Sequence, residues 1–180
     1  MKKKILVFTV ILCIFAVTQA HSFGLGAQFN FYTETGESMM YAPGFSLLIS
    51  PNRTFHIAAN YYIDPGNSSI IGLTLDAVPI SFRIAGSAMT LVATPGAWSL
   101  NFTLGLGAFF NIKFDELFNF QEEVNVIGGL RVPIGVNFLL GQNFEVFTHV
   151  APSFGVNFVP SLEFSNFFFP VALGARIWFK

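Results

Sequence analysis

The chain has 180 residues; 53% are hydrophobic, only 11% are charged, 24 are phenylalanine, and the formal net charge is −1. An ordinary soluble domain carries about 25% charged residues, and so greasy a chain has ample apolar surface to bury, which excludes disorder. The near-neutral charge, with no Lys/Arg stripe past the first residues, excludes a nucleic-acid partner. The spacing of the apolar residues then decides between a helical and a strand-based membrane protein.

Met1-Lys2-Lys3-Lys4 is a basic start, residues 5–17 are apolar and uncharged, and Thr18-Gln19-Ala20 offers small residues before a cleavage site. This is the pattern of a secretory signal peptide, residues 1–20, cleaved after Ala20. The apolar run is shorter than the ~20 residues of a spanning helix, and bulky Leu12 argues against a lipoprotein signal at Cys13. Cleavage removes three of nine cations, leaving six against ten acids. It also removes the only cysteine, so disulfides and thiol catalysis are excluded from the remainder. Residues 21–180 read as one domain.

From there apolar residues recur at every second position, the period of a strand. Phe23, Leu25, Ala27, Phe29 and Phe31 alternate with Gly24, Gly26, Gln28 and Asn30. Tyr41, Phe45, Leu47 and Ile49 form a second set. Phe55, Ile57, Ala59 and Tyr61 alternate with His56, Ala58, Asn60 and Tyr62; Ile71, Leu73 and Leu75 alternate with Gly72, Thr74 and Asp76. The fifth set, over 98–112, is the clearest, with Trp98, Leu100, Phe102, Leu104, Leu106, Ala108 and Phe110 on one parity. Val124, Val126, Leu130, Val132, Ile134, Val136 and Phe138 make the sixth, and Phe144, Val146, Thr148 and Val150 the seventh. Phe167, Phe169, Val171, Leu173, Ala175, Ile177 and Phe179 close the chain. Turn signals at Ser50-Pro51-Asn52-Arg53, Asp64-Pro65-Gly66-Asn67 and Leu140-Gly141-Gln142-Asn143 separate strands. Pro79, Pro133, Pro152 and Pro170 fall inside strands, where proline cannot donate, so bulges are expected. Parity switches across residues 77–79, and residues 84–97 make an unusually long connection.

Eight strands of this length predict an all-β, eight-stranded antiparallel up-and-down barrel that crosses a bilayer. A soluble barrel would carry many Lys and Glu on its outer face. Here the polar parity is mostly Gly, Ala, Ser, Thr and Asn, which suits a narrow lumen, and the opposite parity suits lipid. Phe23, Phe55, Trp98, Phe138, Phe144 and Phe179 fall near one set of strand ends, and Phe31, Tyr41, Tyr61, Phe110, Phe154 and Phe167 near the other, as two aromatic girdles. With a periplasmic N-terminus, the surface loops hold eight of the ten acids, Glu34, Glu37, Asp64, Asp115, Glu116, Glu122, Glu123 and Glu163, together with Phe118.

The closing segment, residues 169–179, alternates apolar residues up to a terminal aromatic, with Leu173, Ala175, Ile177 and Phe179 on one parity. It resembles the C-terminal assembly signal of outer-membrane barrels, with Lys180 trailing the aromatic as a departure. Gly129-Leu130-Arg131-Val132-Pro133-Ile134-Gly135 is similar to a strand of small OmpA/OmpX-type and OmpW-like barrels. The resemblance implies a Gram-negative-type envelope, outer-membrane localisation, and insertion by the outer-membrane assembly machinery. It also implies a role as a host-facing surface protein or a hydrophobic-solute channel.

The inward charges can be paired by register, because facing residues of an antiparallel hairpin have a constant index sum. A last loop centred between Val156 and Ser165 sets Glu145 opposite Arg176, and a loop centred on Gly66 sets His56 opposite Asp76. An internal Glu145–Arg176 ion pair is expected, with Arg131 close by and His149 on the same inward parity. This polar network reads as a plug in a lumen just wide enough for side chains to fill. His149, Ser153 and Glu145 share a parity but point inward, so a lipid-modifying enzyme is disfavoured. His21, His56 and His149 lack metal-ligand spacing. The expectation is a non-enzymatic, porin-like, surface-exposed barrel, a monomer without cofactor. Its partners would be outer-membrane lipid and a possible host or environmental ligand at the loops. The alternative is a narrow channel for small hydrophobic molecules.

Overall fold

The computed structural model describes residues 22–34, 40–63, 69–86, 97–114, 124–164 and 167–179. The expected signal peptide and the acids Glu37, Asp64, Asp115, Glu116, Glu122 and Glu123, with Phe118, lie outside these residues.

All described regular structure is strand, in the order β1 (Phe23–Glu34), β2 (Met40–Ser50), β3 (Phe55–Ile63), β4 (Ser69–Gly86), β5 (Trp98–Phe114), β6 (Val124–Arg131), β7 (Ile134–Leu140), β8 (Phe144–Val150), β9 (Ser153–Val159), β10 (Glu163–Phe164) and β11 (Val171–Phe179). These make eight barrel staves. β5 pairs with β6 along its second half and with β7 along its first, so β6 and β7 are one stave interrupted at Val132-Pro133. β8 and β9 are likewise one stave interrupted at Ala151-Pro152, and β10 and β11 form the last. β1 pairs with β2 on one side and β11 on the other, which closes an antiparallel barrel. Following partners from Leu25 through Ile49, Ile57 and Leu75 meets β5 at Ala108. The opposite route through Ile177, Phe144 and Leu140 meets it at Trp98, so the stagger is 108 − 98, or ten residues. That stagger tilts the staves and sets the bore.

The interruptions line up around the wall. The β4–β5 register slips between Ala77 and Ile80, across Pro79, which produces the parity switch seen in the sequence. At the same level Gly105 N donates to Pro133 O, Val132 N to Pro152 O and Ala151 N to Pro170 O, each at 2.9 Å. Each proline lacks a donor but still accepts, so the ladder passes through these breaks. The expected bulge is therefore a register shift at Pro79, and full strand breaks at Pro133 and Pro152. The expected 84–97 connection is shorter than predicted, because β4 stays paired to Gly86, opposite Ser99.

Side chains sort by parity. Outward Leu106, Leu130 and Leu173 are 60%, 61% and 60% exposed, and Leu25, Leu47, Leu75, Phe82 and Ile177 are exposed around the rest of the wall. Phe23 pairs with Phe179 (6.5 Å) and Trp98 with Phe138 (5.6 Å) at the end carrying the turns 51–54 and 141–143. Phe154 packs on Phe164 and Phe167 near the other end. Hereafter these are the turn end and the loop end.

Large inward side chains stand opposite glycines. Gly24 faces Trp178, Gly107 faces Asp76 and Arg131, Gly135 faces His149, and Gly174 faces Phe147 and Gln28. A Cβ on Gly174 would lie 2.5 Å from Phe147 Cζ and 2.7 Å from Ala27 O. Gly174→Val should therefore destabilise the barrel by about 1–3 kcal/mol, read as a lower urea midpoint for the folded, heat-modifiable band on cold SDS gels. The outward neighbour variant Ala175→Val should leave that midpoint unchanged.

Candidate functional site: the lumen

The loop-end half of the bore is filled by rings. Tyr32 lies 5.2 Å from Phe168 and 5.4 Å from Tyr62, and Phe109 meets Phe168 edge-on at 5.7 Å. With Ala42, Ile70 and Ile127 they form a buried cluster. Phe168 reaches the bore because its segment, between β10 and β11, bridges to Ser153 with both backbone bonds made. Below it a polar belt crosses β1–β3. Gln28 Nε2 donates to Asn30 Oδ1 (2.7 Å), Asn30 to Ser46, and Ser46 Oγ to Asn60 Oδ1 (2.6 Å).

The charged residues lie in the turn-end half. Glu145 faces Arg176 and His56 faces Asp76 in the backbone register. Their side chains take other partners. Glu145 Oε1 accepts from Asn137 Nδ2 (2.8 Å) and Oε2 from Trp178 Nε1 (2.5 Å). Asn101 Nδ2 in turn donates to Asn137 Oδ1 (3.0 Å). Arg176 Nη1 donates to His56 Nδ1 (2.7 Å), which also lies 2.9 Å from Ser50 Oγ. Asp76 Oδ1 is 3.2 Å from Arg131 Nε. These atoms form a close ion pair without hydrogen-bond alignment. Arg131 Nη2 reaches His149 Nε2 at 3.3 Å. Glu145, Arg131 and Arg176 are 95–96% buried, at 5%, 4% and 4% exposure.

Aromatic faces link these charges into a column. The guanidinium carbons of Arg53 and Arg176 each lie 5.1 Å from the Trp178 ring. Arg176 also lies 4.8 Å from the Phe147 ring, which stacks on His149 at 6.0 Å and 8°. Cation–π contacts of this kind favour a desolvated arginine that lacks a carboxylate in bonding geometry. Arg53, Phe147 and Trp178 were not among the expected network residues. The signal for the last two was an aromatic on the polar parity, as also at Tyr32, Tyr62, Phe109 and Phe168.

Beside the column is a cavity of about 340 Å³, lined among others by Arg53, Asp76, Ser81, Asn101, Glu145 and Arg176. It corrects the expectation of a lumen filled by side chains throughout: only the loop-end half is filled. The eight-stranded bore is narrow, but the row of glycines widens it locally. The catalytic alternative gains no geometry. Ser153 Oγ donates to Ala151 O (2.7 Å), while His149 faces Arg131. Among the described residues no group of three His, Cys, Asp or Glu is placed to hold a metal ion. Of the expected loop residues, Glu163 is exposed and accepts from Ser161 Oγ (2.7 Å). Of the expected assembly signal, Leu173, Ile177 and Phe179 project outward on β11.

No family model and no curated protein matches the chain. Among solved structures it is similar to Neisserial surface protein A, with 13% identity and a TM-score of 0.52 over 87% of this chain and 97% of that one. The N-terminal β-barrel domain of Pseudomonas aeruginosa OprF aligns at 13% identity and TM-score 0.40, over 86% and 97%. Ail, the attachment invasion locus protein of Yersinia pestis, aligns at 17% and 0.39, over 88% and 97%. At these identities the likeness is one of fold: a small eight-stranded barrel of the outer-membrane type.

Glu145→Ala would strip Trp178 Nε1 and Asn137 Nδ2 of their acceptor and leave Arg176 facing no carboxylate. Loss of one member of a buried charge cluster costs about 3–5 kcal/mol. Urea unfolding from lipid vesicles should show a drop of that order, with a smaller drop for Glu145→Gln, which keeps an acceptor oxygen.

Proposed function

We propose that this chain is an outer-membrane barrel with a closed lumen, serving a structural or surface-interaction role through its loop end rather than carrying solutes. The observation that carries the reading is the pairing of an apolar coat around the whole wall with a bore blocked by Tyr32, Tyr62, Phe109 and Phe168. A soluble barrel with Leu106, Leu130 and Leu173 well over half exposed would associate through such patches. In a bilayer the same coat is the favourable one, and a closed sheet presents no edge whose backbone groups would go unpaired in lipid. The outward residues of β11 fit recognition by the assembly machinery, and the proposed loops, rich in acids, would meet an environmental or host ligand. The barrel needs no cofactor in this role.

The second reading, a path for small hydrophobic molecules, draws on Phe158, Val159, Leu162 and Phe164, which are exposed around the β9–β10 hairpin. The ring cluster stands between them and the turn-end cavity.

Planar-bilayer recording separates the two. The wild-type barrel should give no steady conductance, whereas the double variant Phe109→Ala, Phe168→Ala should open one, because two of the four blocking rings are gone. Conductance or solute uptake by the wild type would contradict the closed-lumen reading.

A further inference from the structure

We propose that the turn-end cavity is a binding site for a small soluble oxyanion, a carboxylate or phosphate that also carries a hydroxyl. Its volume of about 340 Å³ falls in the range of small-ligand pockets, roughly 300–1,000 Å³. It is blind, since the ring cluster closes the loop-end side, and it reaches the turn end, where Arg53, Ser81 and Arg83 are exposed.

The charge of the walls selects an anion. Arg53, Arg83 and Arg176 line the cavity against Asp76 and Glu145, and Arg131 stands behind Asp76. Both carboxylates are already engaged, Asp76 by Arg131 and Glu145 by Asn137 and Trp178. Arg53, Arg131 and Arg176 alone outnumber these two carboxylates, so the excess is cationic, inside a cleft with low-dielectric walls that concentrates its field. Arg176 is the anchor. It is 96% buried, its plane is held by Trp178 and Phe147, and its Nε has no hydrogen-bond partner. A guanidinium edge of this kind matches the two oxygens of a carboxylate or phosphate. On the neighbouring stave β1, Gln28 lines the same cavity, 93% buried, and leaves Oε1 without a donor. A hydroxyl on the ligand would satisfy it, which favours a hydroxylated anion over a bare one.

Calorimetric titration of the chain purified from membranes in detergent, with citrate and separately with inorganic phosphate as probes, tests this at constant ionic strength. The expected result is saturable one-to-one binding of citrate, weaker binding of phosphate, and none of choline. Ser81→Asp places a negative charge in the wall at an exposed position that folding tolerates, and should weaken citrate at least ~10-fold, or about 1.4 kcal/mol. Trp178 fluorescence in a Trp98→Phe background should change with the same midpoint. No saturable signal, equal binding of choline, or unchanged citrate affinity in Ser81→Asp would overturn the proposal.

Discussion

A sheet whose outer face is apolar all round can leave no strand edge open, and closure of the ladder is the constraint from which the rest of this structure follows. β1 meets β11 over nine residue pairs from Phe23↔Phe179 to Phe31↔Val171, and with that seam the edges vanish. The prolines are reconciled with closure by position. Pro133, Pro152 and Pro170 sit where neighbouring staves change partners, and their carbonyls still accept. Pro79 sits at the β4–β5 register slip, and Pro43 lies within β2 opposite Phe31, beyond the last residue pair of β2 with β3.

Closing eight staves with a ten-residue stagger also fixes a narrow bore, and the inward residues answer that geometry. Glycine stands opposite Trp178, Arg176 and Phe147, so these side chains can lie across the lumen instead of forcing the wall apart. The bore is divided in consequence. Rings fill the loop-end half, where the wall carries Tyr32, Tyr62, Phe109 and Phe168. Charges and amides gather in the turn-end half, where most of the burial is offset by a hydrogen bond, an ion pair or an aromatic face, and Gln28 Oε1 and Arg176 Nε are left without a hydrogen-bond partner.

Much of the fold was legible in the sequence, because a period of two is a direct imprint of a wall with two different solvents. The constant index sum of a hairpin set Glu145 opposite Arg176 and His56 opposite Asp76, as the backbone register has them. Register places Cα atoms, however, and not the ends of long side chains. Arg176 reaches past β1 and β2 to His56 on β3, and Asp76 turns to Arg131 across β5, partners that no single hairpin reveals. The luminal aromatics were hidden for a related reason. Phenylalanine is so common here that girdles account for it readily, and only parity distinguishes Phe109 or Phe147 from a lipid-facing ring. The broken staves escaped because alternation keeps its phase across Pro133 and Pro152.

The central claim is that one parity of each stave faces lipid and the other a closed interior. It is tested most directly on β5 by nitroxide scanning, with single cysteines at Leu104, Leu106, Ala108 and Phe110 and at Thr103, Phe109 and Asn111. The signal-peptide cysteine, Cys13, is replaced. In vesicles the even positions should be relaxed by oxygen and shielded from a water-soluble nickel chelate, with odd positions immobile and shielded from oxygen. Accessibility without a period of two, or nickel reaching the even positions as readily as oxygen, would contradict it.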